Sequence, residues 1–115
     1  MSQGSLIPSD DGMQTSLFIG WTTINSEEAA TKLAREIVEQ RLASCVQIDQ
    51  PVQSIYQWKG LVQSEREWRL MVKFVASNSD SLRSYIIANH PYDVPEWIVV
   101  RIDHGAPDYL KWMLE

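Results

Sequence analysis

The stretch that decides the fold is SLFIGWTTINSEEAATKLAREIVEQRLASCVQI, residues 16–48, in which two β-type runs flank a segment with helical periodicity. The first run, residues 16–24, is short, apolar and rich in residues that favour strands. In the middle segment, Asn25 or Ser26 can cap a helix. Apolar residues then recur at spacings of three and four, which is typical of a helix with one buried face: Ala30, Leu33, Ala34, Ile37, Val38 and Leu42. The pattern predicts strand, helix, strand.

Residues 44–76 are predicted to form a long hairpin. The outgoing part, residues 44–63, is strand-like, and Pro51 within it indicates an edge strand or a bulge. Gly60 supplies a turn because glycine takes a positive φ without strain. The returning run, EREWRLMVKFVA, alternates between apolar and charged residues, which predicts a strand with one buried face formed by Trp68, Leu70, Val72 and Phe74.

The remainder completes an α+β pattern. Residues 77–89 begin with capping residues and have helical periodicity, residues 96–103 are a fourth strand, and Pro107 opens a short helix that ends the chain. This order predicts a ferredoxin-like split βαβ sandwich with an extra C-terminal helix, with the helices covering one face of a four-stranded antiparallel sheet. The other face is expected to carry apolar residues and to support self-association: Met71, Val75, Trp97 and Val99.

The composition is that of a single globular domain. The chain has 115 residues, of which 44% are hydrophobic and 22% charged. Residues 1–15 are polar and show no period, so we expect a flexible leader before one domain at residues 16–115.

Charge and cysteine content set the expected partners and compartment. The net charge of −5 argues against nucleic-acid binding, and no apolar run is long enough to cross a membrane. The single cysteine cannot form an internal disulfide, and the start of the chain lacks a signal-peptide pattern. These features predict a cytoplasmic protein.

Metal-binding and catalytic signals are sparse. Apart from methionines, the only soft or borderline metal ligands are Cys45, His90 and His104, and they show no CxxC, HxxxH or HxH spacing. A Cys–His pair can act as nucleophile and base, but the sequence contains no GxSxG, P-loop or GxGxxG motif. We expect no enzymatic activity. His90 and Cys45 are the candidate metal ligands, although packing roles suit both residues better.

The segment HPYDVPEW, residues 90–97, is predicted to be a stiff extended corner between the second helix and the last strand. Pro91 and Pro95 fix their own φ angles and bias the preceding residues away from helix. This stiffness would hold Tyr92 and Trp97 at fixed positions.

Four segments together resemble the CutA divalent-cation tolerance family: LASCVQI, SIYQWKG, ANHPYDVPEWIV and GAPDYLKWM. They occur in the family's order and spacing from about Leu17 to the C-terminus. The resemblance implies a ferredoxin-like subunit in a tight homotrimer, located in the cytoplasm in bacteria and linked to tolerance of copper and other divalent metals. It implies no settled enzymatic reaction.

The resemblance also bears on copper. Family members for which copper binding is proposed have a cysteine just after the apolar run of the first strand and two adjacent histidines before Pro-Tyr. This chain has Trp21 at the first position and Asn89 and His90 at the second. We therefore expect no more than a weakly bound divalent metal such as copper.

In the trimer that the resemblance implies, the hairpin and the proline corner lie near neighbouring subunits. We expect an inter-subunit cleft lined by Tyr56, Trp58, Glu67, Lys73, Tyr92, Asp93 and Glu96. Such a cleft could bind a small effector, as in the PII-type signalling proteins that the family resembles, or hold a hydrogen-bond network that fixes subunit register. A trimeric structural adaptor is the third alternative.

Overall fold

A computed structural model of the chain describes residues 16–115, and the predicted leader, residues 1–15, lies outside the described residues. The elements follow in the order β1 (Leu17–Ile24), α1 (Glu27–Glu39), β2 (Cys45–Ile48), β3 (Val52–Trp58), β4 (Leu61–Val75), a 3₁₀ turn (Ala76–Asn78), α2 (Ser79–Asn89), β5 (Ile98–Arg101) and α3 (Pro107–Leu114).

The strands form one antiparallel sheet in the order β2-β4-β1-β5, with β3 paired to the first half of β4. The strand β4 therefore lies between β1 and β2, the two strands that α1 connects, which is the split βαβ arrangement. The predicted α+β ferredoxin-like fold with an extra C-terminal helix is confirmed.

The outgoing arm of the hairpin is interrupted near Pro51, as the sequence indicates. Ile48 pairs with Leu70 and Val52 pairs with Glu67, so three residues on this arm face two on β4. The extra residue is a bulge that separates β2 from β3. The sheet consequently has five strands, where the sequence analysis counts the interrupted arm as a single strand.

The main core lies between the sheet and the helices α1 and α2. Ser26 caps α1, its hydroxyl accepting a hydrogen bond of 3.1 Å from the amide of Ala29. Val38 was expected to face inward but is exposed. Among residues 16–115, no helix is long and apolar enough to span a membrane. The centre of the core consists of fully buried side chains: Ile24, Ile37, Leu70, Val72, Phe74, Leu82 and Ile86.

The helix α3 packs on the opposite face of the sheet, so the prediction that all helices cover one face is wrong. Leu110 and Met113 of α3 pack with Leu17 in a second, smaller core. Val75 and Ile102 are partly buried against it. This packing covers only the end of the outer face that lies near Leu17.

Two residues predicted for that outer face lie on the helix side instead. Trp97 packs into the main core, with its ring centroid 5.9 Å from that of Phe74. Val99 pairs with Gly20, which also pairs with the buried Val72, so these residues share the helix-side face. The sequence cannot fix the register of β5 against β1, and that register decides which of its residues face outward.

Candidate functional site

A cleft of about 470 Å³ opens between the β3–β4 hairpin and the proline corner, residues 90–97. Six of the seven residues predicted for a cleft line it: Tyr56, Trp58, Glu67, Tyr92, Asp93 and Glu96. The lining is completed by Thr23, Asn25, Ser54, Glu65 and Val94.

The hairpin contributes Glu65 to the lining of the cleft. The hydroxyl of Tyr56 donates a hydrogen bond of 2.9 Å to Oε1 of Glu65, and Nδ2 of Asn25 donates one of 2.8 Å to Oε2. The hydrogen bond to the Glu65 carboxylate raises the pKa of Tyr56 above its usual value. Tyr56 therefore stays protonated at neutral pH and keeps Glu65 in a fixed orientation.

Glu67 and Tyr92 are joined by a hydrogen bond in the lining of the cleft. Glu67 is only 6% exposed, and the Tyr92 hydroxyl donates a hydrogen bond of 2.6 Å to its Oε2. Burial raises the pKa of the Tyr92 hydroxyl far above its usual value, and the hydrogen bond and charge of Glu67 raise it further. Tyr92 is thus a hydrogen-bond donor to Glu67 and does not serve as a base.

His90 positions Tyr92 and does not point into the cleft as a free ligand. Its Nδ1 accepts a hydrogen bond of 3.1 Å from the backbone amide of Tyr92, so the ring proton sits on Nε2. Nε2 lies 3.0 Å from the carbonyl oxygen of Thr23, to which it donates, and 3.0 Å from Oγ1 of Thr22. Burial lowers the pKa of His90, which favours this neutral form.

The two candidate metal ligands do not lie together. Cys45 is half-buried on β2 opposite Lys73, whereas His90 contacts Thr22, which pairs with Leu70. The positions of Lys73 and Leu70 are three residues apart along β4, which is roughly 10 Å. His104 is exposed and lies 2.9 Å from Asp103. Among residues 16–115, no three His, Cys, Asp or Glu side chains are close enough to hold a metal ion.

Lys73 does not line the cleft of the single subunit, and its place in an inter-subunit cleft stays a prediction. It shares the outer face of β4 with Glu67 but lies six residues further along the strand, roughly 20 Å away. Its Nζ donates a hydrogen bond of 3.1 Å to the hydroxyl of Tyr109 in α3. The alternation of side chains along β4 correctly predicts that Lys73 and Glu67 share a face. It does not show that they lie far apart along a strand of fifteen residues.

Glu65 is the main lining residue that the sequence analysis missed. Its place two residues before Glu67 on one strand was a readable signal, because such residues face the same side of a sheet. Ser54 lies opposite Glu65 in register. The contributions of Thr23, Asn25 and Val94 depend on tertiary packing and left no signal in the sequence.

The cleft is strongly acidic. Its lining includes four carboxylates and, within residues 16–115, no Lys, Arg or His side chain. Partial burial raises the pKa of Glu96, and the nearby charge of Glu67 raises it further, while Arg69 lowers it. Negative charge beside the aromatic faces of Tyr56, Trp58 and Tyr92 suits a cation and disfavours an anion.

Comparison with known proteins shows which family has this sequence and fold. The family model described as CutA1 divalent ion tolerance protein matches residues 18–115. The chain is 41% identical over 93 residues to the divalent-cation tolerance protein CutA of Thermus thermophilus, covering 81% of this chain and 90% of that protein. It is 42% identical over 93 residues to the chloroplastic protein CutA of Arabidopsis thaliana, covering 81% of this chain.

The Arabidopsis protein is longer than this chain, and the match spans only 51% of its length. The crystal structure of CutA1 from Oryza sativa superposes with a TM-score of 0.84 at 36% identity, covering 90% of this chain and 94% of that one. The family model covers nearly all of the described residues, and sequence and fold agree with it. The chain therefore belongs to the CutA1 divalent ion tolerance protein family.

Proposed function

We propose that the chain is a non-enzymatic homotrimer that acts in divalent metal tolerance, including tolerance of copper. The observation that carries this proposal is the match to the CutA1 divalent ion tolerance family over residues 18–115. The name of the Thermus thermophilus relative, a divalent-cation tolerance protein, supports the same role.

The trimer is supported by apolar residues that the single subunit leaves uncovered. Ile98 and Val100 face outward from β5 and are 59% and 50% exposed. Ile55, Leu61 and Val62 of the hairpin are also largely exposed. Apolar surface of this extent on a sheet favours self-association.

The non-enzymatic part of the proposal is supported by the site chemistry. Cys45 lies on β2, whereas His90 lies at the end of α2 and uses both ring nitrogens in hydrogen bonds. Neither residue is arranged as a nucleophile or base. The cytoplasmic location stays a prediction, and the Arabidopsis relative is named as a chloroplastic protein.

Metal tolerance is tested by comparing the growth of host cells that lack the protein with that of cells in which its expression is restored. Removal should lower the copper concentration that halts growth, and re-expression should restore it. Zinc and cobalt series show how general the effect is. Equal growth with and without the chain across all three metals would overturn the proposed role.

Direct copper binding is tested separately on the purified protein. Anaerobic titration calorimetry with Cu(I) and with Cu(II) should show weak binding that a chelator removes, because His90 is engaged in hydrogen bonds and Trp21 and Asn89 offer poor donors. His90→Ala and Cys45→Ser should change copper affinity little. Stoichiometric binding that resists a chelator and disappears in either variant would contradict this expectation.

A second candidate function is effector binding in the cleft, as in a PII-like sensor. The observation that favours it is the cleft itself, in which six predicted residues meet. The acidic lining argues against an anionic effector such as a nucleotide. The remaining alternative, a structural adaptor, would leave the cleft without a ligand.

A further inference from the structure

The proline corner, residues 90–97, is attached to the sheet through the imidazole ring of His90. This residue is 9% exposed, and its two ring nitrogens make contacts of 3.0 and 3.1 Å inside the subunit. Because these contacts are already buried within one subunit, a neighbouring copy in the proposed trimer does not replace them. The ring is therefore a fixed point from which the corner leaves the helix α2.

The contact between His90 and the corner requires the neutral ring. Nε2 can donate to the carbonyl oxygen of Thr23 in either protonation state, whereas Nδ1 accepts the amide of Tyr92 only while it carries no proton. In the imidazolium, both nitrogens carry protons, so Nδ1–H would face the amide N–H, donor against donor. Protonation therefore breaks the hydrogen bond to the corner and leaves the hydrogen bond to β1 in place.

Tyr92 connects this contact to the hairpin. Its ring lies edge-on to that of His90, with the centroids 4.8 Å apart, and its hydroxyl donates a hydrogen bond of 2.6 Å to Glu67. If the amide contact is lost, Tyr92 can move with the corner while Glu67 stays on β4. A displacement of about 1 Å would lengthen the hydroxyl contact past the range of a hydrogen bond.

The middle of the corner is free to make such a movement. Trp97 packs into the main core, so the segment is held at this end and at His90. Between these ends it has no helix or strand, and Val94 is 68% exposed. Asp93 and Glu96 take no part in the ion pairs formed within residues 16–115.

The groups that face His90 favour a neutral ring in the closed arrangement. Glu67 on β4 is the charged group whose field reaches the ring, and its charge favours protonation. The strand β1 presents the uncharged Thr22 and Thr23, the corner presents the neutral phenol of Tyr92, and the last turn of α2 has no charged side chain. Burial outweighs the effect of Glu67, so the pKa of His90 is lowered.

We propose that His90 is a pH-sensitive switch that closes the proline corner on the hairpin. While the ring is neutral, the corner is closed and Tyr92 binds Glu67. When the ring takes up a proton, His90 stays bound to Thr23, the corner is released and the carboxylate of Glu67 becomes accessible to solvent. The switch acts within one subunit and is independent of metal tolerance.

The test follows hydrogen exchange of the Tyr92 amide in the full chain by NMR, at pH about 7.5 and at pH about 5. After correction for intrinsic exchange, the protection of this amide should fall about tenfold at the lower pH, because a proton on His90 favours the open corner. The amide of Leu42, which donates a hydrogen bond of 3.0 Å to Ile37, is the internal control and should keep its protection. The midpoint of the loss at Tyr92 should coincide with the titration midpoint of the His90 ring signals.

Three variants assign the titrating group. His90→Gln keeps a donor and an acceptor but does not titrate, so the dependence of Tyr92 protection on pH should disappear. His104→Gln changes the exposed histidine and should leave the dependence unchanged. Glu67→Gln removes a carboxylate that also titrates in acid, and it should retain the dependence with a lower midpoint, because the charge of Glu67 raises the pKa of His90.

The unmodified protein alone can overturn the switch, whether or not His90→Gln folds. Protection of Tyr92 that is unchanged while the His90 ring titrates, or that is lost with a different midpoint, would do so. The same loss of protection in His90→Gln would also overturn it. Light scattering should give the same mass at both pH values, and protection that is lost only after the assembly dissociates would contradict a switch within one subunit.

Discussion

Gly20 shows how a single residue on β1 makes room for the last strand. The six-membered ring of Trp97 lies where a β-carbon on Gly20 would stand. Gly20→Ala forces the indole out of a packed position between the sheet and the helices, and overpacking of this kind costs about 1–3 kcal/mol of the free energy of unfolding. Urea denaturation of the variant should therefore show a clearly lower midpoint.

A double-mutant cycle isolates the contact. Trp97→Leu removes the ring and should lower stability by itself, because Trp97 packs into the main core. In the double variant, the added cost of Gly20→Ala should be much smaller, since the obstacle is gone. Fully additive effects would show that the glycine matters for some other reason.

His90 predicts a dependence of stability on pH. Its pKa in the folded protein is lowered, so the unfolded chain takes up a proton on this ring at a higher pH than the folded chain does. The stabilising contribution is full above the ordinary histidine pKa of about 6.5 and is lost as pH falls towards the folded value. The free energy of unfolding should therefore fall between neutral pH and pH about 5.

The control is the other histidine. In His90→Gln this part of the pH dependence should disappear, while in His104→Gln it should remain, because His104 is exposed. Guanidine unfolding across the pH range measures both. The same slope in His90→Gln as in the unmodified protein would show that other groups cause it.

At the scale of elements, periodicity alone located the helix α1 and the strand β4. Burial of Ala30, Leu33 and Ile37 on α1 follows the spacing of three and four, and the alternation on β4 places Leu70 and Val72 inward. Pro51 marked the bulge. These features depend on residues that are close together in the chain, so they can be predicted from the sequence.

The features that could not be predicted from the sequence depend on contacts between residues that are far apart in the chain. The register of β5 against β1 decides which residues of β5 face outward: Ile98 and Val100 lie on the outer face and Val99 on the helix-side face. The hydrogen bond from Tyr92 to Glu67 follows from how the corner closes on the hairpin. The positive φ of Lys59, 52°, accompanies that of Gly60, and the sequence analysis identified only the glycine.

The proline corner holds one wall of the cleft as an irregular segment after α2. His90 ends the helix with extended backbone angles, and the corner then presents Tyr92 to Glu67.

If the corner also braces a subunit boundary, Pro91→Ala combined with Pro95→Ala should weaken the trimer before it unfolds the subunit, because the freed backbone has more entropy to lose.

Dissociation on dilution, followed by light scattering, is compared with the helix signal in far-ultraviolet circular dichroism. Pro107→Ala, at the start of α3, is the matched control and leaves the corner intact. Dissociation at the same concentration in the double variant and the unmodified protein would mean that the corner acts only within the subunit.

At the scale of the whole molecule, the sheet has one covered face and one that is only partly covered. The helices α1 and α2 bury the first, while α3 covers the second only around Leu17. Ile98 pairs with Trp21 and Val100 with Ile19, so these side chains form an apolar band on the outer face. An exposed apolar band of this kind is typical of a surface that binds another protein surface.

Covering that band with two further copies of the chain is the arrangement that we propose, and Val100 tests it. Val100 is 50% exposed in the single subunit, so Val100→Asp should fold normally while placing a charge in each contact of the trimer. Light scattering at micromolar concentration should report three subunits for the unmodified protein and a lower mass for the variant, since burying an unpaired carboxylate costs several kcal/mol. Ile87→Asp is the matched control, because Ile87 is 52% exposed but lies on α2, away from the outer face. If Ile87→Asp dissociates the assembly and Val100→Asp does not, the contact between subunits lies on the helical side. A monomer for the unmodified protein that persists on concentration would contradict the trimer itself.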